Sequence, residues 1–243
     1  YLWGAVLGDF GMTFRFAGTP VTEVIGKSLA ISPILALAAL SLAVAAGVPL
    51  GTYAARRRNR PADTAIILVL VAGISIPNFA LAAFLVYLLA ISLELLPVAG
   101  WGRLDQAVLP VAVLAIAPLA YIARLTRTYM LEVLAQDYIR TARAKGLDER
   151  LVIYRHALKN TAVPLLTTIG IIFGGLLSGT FVVETIFNIP GLGRLAIEAI
   201  FARDYPVTMA IVLLFTAFYA LINLAVDLLY AVIDPRIRAG GGR

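Results

Sequence analysis

The residues able to do chemistry in this chain gather in one place. Asp137-Tyr-Ile-Arg-Thr-Ala-Arg-Ala-Lys-Gly146 is a charged, glycine-broken stretch between very apolar runs. The chain holds one histidine and no cysteine. That excludes disulfides and thiolate chemistry and argues against a histidine-based metal site. No nucleophile–base pair stands out, and no Gly-x-x-x-x-Gly-Lys-Ser/Thr loop for a nucleotide occurs. The expectation is no catalytic residue, no metal and no cofactor held by the chain itself. What the stretch offers is recognition: a short basic arm that a soluble partner can grip. Basic residues without an aromatic stacking platform do not point to nucleic acid.

Such an arm has to be presented by something, and composition says what. Of 243 residues, 61% are hydrophobic and 14% charged, whereas soluble domains carry about 25% charged residues. Apolar runs of about 20 residues recur, each long enough to cross a hydrocarbon layer of about 30 Å. The fold class expected is an all-α membrane protein, a polytopic helical bundle; a transmembrane barrel would alternate in short strands. The expected spans are 30–53, 64–93, 107–125, 161–187 and 207–233. The second would be about 45 Å long at 1.5 Å per residue, so Ser75-Ile-Pro77 is expected to kink it, the proline having no N–H to donate. The third contains Pro110 and Pro118. The fourth contains Gly170-xxx-Gly174 and Gly175-xxx-Gly179, which read either as a packed helix interface or as glycine scattered through a membrane helix.

Charge gives sidedness. The loops after the first and third spans, with the tail, hold fifteen of the twenty basic residues, from Arg56, Arg57, Arg58 and Arg60 to Arg243. Positively charged loops stay in the cytoplasm. Residues 1–29 are then an extracytoplasmic segment, 30–233 the transmembrane domain with a cytoplasmic loop over 126–160, and 234–243 a cytoplasmic tail. Five spans ending inside place residue 1 outside, and the expectation is a sixth helix ahead of it.

Within the cytoplasmic loop, Met130, Leu131, Val133, Leu134, Ile139 and Ala142 favour a helix continuing from the third span. Gly146 suits its C-terminal stop, with Arg143 and Lys145 in the last turn. Asp148 suits the N-cap of a second helix over 149–160, in which Leu151, Tyr154 and Leu158 can share an apolar face. Two readings stay open on these residues. One is a docking arm whose small residues, Ala142, Ala144 and Gly146, admit a close partner surface while the charges steer it. The other is a solvated basic loop held near anionic lipid.

Other polar residues also carry two readings each. Glu184 and Asn188, at the outer end of the fourth span, could meet substrate or a binding protein, or form a solvated helix end. Asp227, late in the fifth span, is a pathway contact or a structural carboxylate. The amphipathic piece 192–202 is a docking surface or an interfacial helix. His156, among Arg155 and Lys159, reads as loop surface.

The loop, with His156-Ala-Leu-Lys-Asn160 and Pro164 after it, closely resembles the signature loop of binding-protein-dependent ABC importer permeases. The nearest subgroup is the dipeptide/oligopeptide/nickel type. The general pattern has Glu-Ala-Ala six residues before the glycine; Arg140, Thr141 and Ala142 stand there. Leu158-Lys159 replaces its closing Leu-Pro. The resemblance extends in order through Gly8-Asp-Phe-Gly11, Pro20-Val-Thr, Ser75-Ile-Pro-Asn-Phe79, Leu96-Pro-Val-Ala-Gly100, Val183-Glu-Thr-Ile-Phe187, Pro190-Gly-Leu-Gly193, Arg203-Asp-Tyr-Pro206 and the stretch from Asp227 to Arg236.

The resemblance implies an ABC type I importer transmembrane domain in a prokaryotic cytoplasmic (inner) membrane. It implies a coupling helix around 139–151 that seats on a cytoplasmic ATPase, with Asp137, Arg140, Thr141, Ala142, Arg143, Ala144, Lys145, Gly146 and Leu147 at the contact. The partners implied are a second homologous permease subunit, two ATPase subunits that hold ATP and Mg, an extracytoplasmic substrate-binding protein and membrane lipid. The cargo implied is di- or oligopeptide, with nickel or another small solute as the alternative. A reading from another class is an ATP-independent secondary transporter or channel.

Overall fold

The computed structural model of the chain describes residues 2–15 and 18–233, apart from the side chains of Leu2, Ser178, Asp227 and residues 229–233. In chain order come α1 (Leu2–Val6), α2 (Val21–Gly26), α3 (Ile31–Arg56), α4 (Pro61–Ser75) and α5 (Asn78–Leu85), which continues as the π-helical turn Val86–Ser92. Then follow α6 (Leu104–Leu134), α7 (Asp137–Ala144), α8 (Glu149–Leu151), a second π-helical segment (Val152–Ala157), α9 (Leu158–Ile186), α10 (Leu192–Phe201) and α11 (Tyr205–Ile233). Among the described residues, four helical stretches are long and apolar enough to cross a membrane alone, and α4 with α5 makes up to five as one broken span. That agrees with the spans expected from sequence.

Three boundaries differ from expectation, each for a local reason. The second span is two helices rather than one kinked helix. Pro77 sits at the N-cap of α5 in extended conformation, and a residue before proline is pushed out of the helical region, so the chain breaks at Ile76. The helix from the third span stops at Leu134 and does not continue into the arm. The N–H groups of Ala135 and Gln136 donate to Glu132 O and Val133 O, a tightened last turn, and Gln136 is extended (ψ 150°). The helix expected over 149–160 has no end of its own. It runs through the π-helical segment into α9. The π-helical winding changes which residues face inward. Val152, Ile153 and Ala157 are buried, while Leu151 and Tyr154 are exposed and Leu158 only partly covered.

The chain divides into two compact units. Unit one collects 1–39, 76–115 and 173–221. Its apolar core joins Val21 and Ile25 of α2 to Leu192, Ala196 and Ala199 of α10 and Val207, Ala210 and Ile211 of α11. The amphipathic piece 192–202, which contains α10, thus packs on α2 and α11. Phe181 and Phe215 meet as tilted rings 5.1 Å apart. Close approach is built on Gly174, where a Cβ would fall 2.6 Å from the Tyr219 ring.

Unit two collects, of the described residues, 40–75, 116–172 and 222–233. Its core joins Ala55 and Met130 to Ile139 and Ala142 of α7 and to Val152, Ile153 and Ala157. Leu70, Ala120 and Ala123 form a second cluster. Here α3 lies against α6 at Gly47 and Gly51, where added Cβ atoms would fall 2.9 Å from Leu119 O and 2.3 Å from Ala123 O. At Gly170 a Cβ would fall 2.1 Å from Val226 Cγ2. Of the two glycine pairs read from sequence, Gly170 and Gly174 therefore sit at close helix contacts. At Gly175 and Gly179 an added Cβ would meet nothing within 4 Å.

Candidate functional site

The candidate site is α7 with the turn that follows it. Gln136 leaves α6 extended and Asp137 opens α7, its carboxylate in the first turn, where the helix dipole favours negative charge. Eight residues make about two turns, too short to be stable alone in water. Tertiary packing holds them: Ile139 is fully buried and Ala142 nearly so, and both belong to the cluster with Met130, Val152 and Ile153.

The end of α7 is fixed by backbone geometry. Gly146 has φ +76°, a left-handed conformation that costs other residues about 1–2 kcal/mol. Its N–H donates to Arg143 O at 2.9 Å, and the Leu147 N–H reaches back to Ala142 O at 3.4 Å. This paired closure is the Schellman motif. Asp148 then caps α8, its Oδ1 accepting the Arg150 N–H at 2.7 Å. Both expectations for this turn, Gly146 as the stop and Asp148 as the cap, hold in the structure.

One ion pair braces the turn. Arg143 Nη2 and Nε donate to Glu149 Oε1 and Oε2 at 2.9 and 3.2 Å, and the Glu149 hydrogen bond raises the Arg143 pKa above its ordinary value. The Arg140–Asp137 pair, 3.5 Å apart and exposed, adds little to stability. Partial desolvation pushes the Tyr138 phenol above its usual pKa.

The outward surface of α7 and its turn is made by Asp137, Tyr138, Arg140, Thr141, Arg143, Ala144, Lys145, Gly146 and Leu147, all exposed. The structure brings together every residue expected at the contact except one. Ala142 faces inward, because it lies three residues from Ile139 on the same side of the helix. It anchors the arm and is not part of its outer surface. No positive charge but that of Arg143 is tied by an ion pair on this face among the described residues other than Arg140.

The candidates outside the arm fall out differently. Glu184 neither lines a surface nor forms a solvated helix end: it is 0% exposed. The Ser32 hydroxyl donates to its Oε1 at 2.6 Å, and the Arg194 N–H to its Oε2 at 2.9 Å. Asn188 is exposed and takes φ +55° just past the end of α9, and its Oδ1 accepts from the Arg194 guanidinium. It ends the helix as Gly146 ends α7. The side chain of Asp227 lies outside the described residues. His156 is half-buried within the π-helical segment, and its carbonyl accepts from Asn160 at 2.6 Å.

Sequence reasoning passed over three sets of residues. Asp63 is 2% exposed at the start of α4 and takes two hydrogen bonds from Arg127, both 2.7 Å, and one from the Asn59 N–H at 3.0 Å. A lone acid opening an apolar run was the signal for it. Gly47 and Gly51 have the same small-xxx-small spacing as the glycines of the fourth span. Thr13 and Asp204 join the loop before α2 to the turn before α11 by a buried hydroxyl–carboxylate hydrogen bond, with the Arg15 N–H also donating to Asp204 at 3.1 Å. No local sequence pattern announces that pairing across 191 residues.

Residues 47–239 match the family described as the binding-protein-dependent transport system inner membrane component. The chain is 43% identical to the dipeptide transport system permease protein DppB of Bacillus subtilis, over 98% of this chain and 77% of that protein. It is 42% identical to the oligopeptide transport system permease protein OppB of Salmonella typhimurium, over 98% of this chain and 78% of that protein. The fold is similar to that of a chain of the MetNI methionine ABC transporter in its inward facing conformations, with a TM-score of 0.75 and 16% identity over 88% of this chain and 97% of that one.

Proposed function

The chain belongs to the family of binding-protein-dependent transport system inner membrane components, and from that premise we propose that it is the transmembrane permease subunit of an ATP-driven importer of di- or oligopeptides. The observation that carries the reading is the construction of α7. Its inner face is anchored by Ile139 and Ala142 in the core that also holds Met130 and Ile153. Its outer face and the Gly146 turn stand exposed. A helix so anchored passes a displacement on its outer face directly to the two flanking helices. That is what a transport subunit without a nucleotide site of its own requires from a motor.

In this reading an ATPase subunit seats on the outer face of α7, with Arg140, Ala144, Lys145 and Gly146 at the contact. ATP and Mg are held by two such subunits. A second permease subunit completes the pathway, and a substrate-binding protein delivers cargo on the opposite side of the cytoplasmic membrane, which leaves the 124–160 loop and the C-terminus in the cytoplasm. Peptide as cargo is supported by the names of the relatives, which are dipeptide, oligopeptide and glutathione permeases.

The test is purification of the native complex followed by reconstitution in vesicles. Two ATPase subunits and a second permease accompany the chain, and peptide uptake requires both ATP and the binding protein. Uptake by this chain alone without ATP would overturn the reading.

A further inference from the structure

Beside the docking arm, unit two contains a cavity of about 460 Å³ that transport does not explain. One wall is the turn after α3, which contributes Arg56, Arg57, Arg58 and Arg60. Arg143, Glu149, Leu131, Leu134 and Ile153 line it as well. Five arginines and one carboxylate thus share the lining, and that carboxylate is already paired with Arg143. Among the described residues, Arg56, Arg57, Arg58 and Arg60 make no ion pair within 4 Å, although Glu149 feels Arg56 and Asp63 feels Arg58 at longer range.

The wall is held in place. Asp63 accepts the Asn59 N–H and is itself gripped by Arg127. Asn59 adopts φ +61°, and the Arg60 N–H donates to Arg57 O at 2.9 Å. Four arginines are therefore displayed from a short braced turn. Arg57 lies over the Tyr53 ring at 5.9 Å, an arrangement that leaves the in-plane N–H groups of the guanidinium able to donate. Concentrating like charge on one rigid turn is costly unless an anion joins them.

We propose that this cavity binds the phosphate of an anionic phospholipid headgroup. Guanidinium groups match phosphate by paired parallel hydrogen bonds. The location favours a lipid source over free phosphate. Arg56 is the last residue of the 26-residue apolar helix α3, a length of about 39 Å that carries it just past a hydrocarbon layer of about 30 Å. By that length the cavity belongs at headgroup level, and its lining includes Tyr53, a residue type enriched there. The chain's own residues 234–243 have the wrong sign to fill it, with three arginines and one aspartate. A phosphate bound here lies against Arg143, so lipid occupancy competes with Glu149 for the residue that braces the end of α7.

The test uses the purified full-length chain with the subunits that accompany it. Equal amounts of phosphatidylglycerol and phosphatidylcholine are offered in mixed micelles, and retained lipid is read by native mass spectrometry. Phosphatidylglycerol is retained in preference by about fivefold or more. The preference falls to near unity in R58Q/R60Q, is weakened but not lost in R58K/R60K, which keeps the charge without the paired donors, and is unchanged in R103Q, whose arginine lies in the other unit. The preference of the unaltered chain stands as evidence whether or not the variants fold. Equal retention of the two lipids overturns the proposal. Displacement of the lipid by millimolar inorganic phosphate overturns it in favour of the free anion. Loss of retained lipid whenever an ATPase subunit is bound overturns it in favour of a protein interface.

Discussion

Asp63 and Arg127 hold each other through two parallel hydrogen bonds, Nε to Oδ1 and Nη2 to Oδ2, each 2.7 Å. The carboxylate is all but buried and the guanidinium about one-fifth exposed. The pair ties the first turn of α4 to α6, 64 residues away in sequence. Replacing one partner strands a buried charge, which costs about 3–5 kcal/mol, whereas an apolar pair of similar volume can be nearly neutral. Asp63→Leu or Arg127→Met alone should therefore lower the thermal unfolding midpoint in detergent sharply. The double variant should recover most of the loss. Additive losses would show that the two residues act independently.

The glycines of α9 should separate by position. At Gly170 and Gly174 an added Cβ meets Val226 and Tyr219 at 2.1 and 2.6 Å, while at Gly175 and Gly179 it meets nothing within 4 Å. Overpacking of this kind costs about 1–3 kcal/mol. Gly170→Ala and Gly174→Ala should reduce the yield of folded protein and its melting temperature. Gly175→Ala and Gly179→Ala should leave both unchanged. An equal response at all four sites would contradict the contacts described.

Asp204 predicts an acid response. Burial works against its ionised form, but the Thr13 hydroxyl and the backbone N–H groups of Arg15, Phe14 and Val207 outweigh it and hold the carboxyl below the ordinary carboxylate range. A depressed folded-state pKa contributes stability that is complete above the unfolded value of about 3.9 and is lost as pH falls through the folded value. Unfolding midpoints measured between about pH 6 and pH 2 should fall more steeply below pH 4 in the native chain than in Asp204→Asn. Parallel curves would remove Asp204 from the account.

The small residues of the arm should divide by the face they occupy. Ala142→Leu enlarges a side chain that is 7% exposed in the core, and the expected result is a lower melting temperature. Ala144→Leu, on the outer face, should leave the melting temperature alone while separating ATP hydrolysis from uptake in reconstituted vesicles. Gly146→Ala meets no atoms of this chain within 4 Å, so its cost to stability should be the backbone strain alone, about 1–2 kcal/mol. Tight coupling in Ala144→Leu would place the motor contact elsewhere.

These particulars show what the sequence could carry. Span number, the Gly146 stop and the Asp148 cap were legible because each depends on local composition or on a backbone rule that acts within a few residues. The break at Gln136 was not, since apolar residues continue on both sides of it and only the extended backbone there ends α6. Nor was the rotation of face through Val152–Ala157. A π-helical turn adds a residue per turn without any residue type that marks it. Glu184 was misplaced for a different reason: its partner Ser32 is 152 positions away, and a carboxylate looks like a surface residue until its donors are known.

That distance has a consequence for how α10 comes into being. Gly191 supplies no side-chain cap for this helix. The Leu192 N–H donates instead to Ser32 Oγ at 2.8 Å, and the Arg194 N–H to Glu184 Oε2. Its first turn is thus templated by two residues that precede it in the chain. During synthesis, which runs from the N-terminus, Ser32 and Glu184 have both left the ribosome before Leu192 does. Once α3 and α9 have met, the receiving site for the first turn of α10 is complete, and only the first half of α11 remains to close the unit's core over it. Amide exchange at residues 192–194 that quickens in Ser32→Ala, while α9 stays protected, is the trace this order of assembly leaves in the finished molecule.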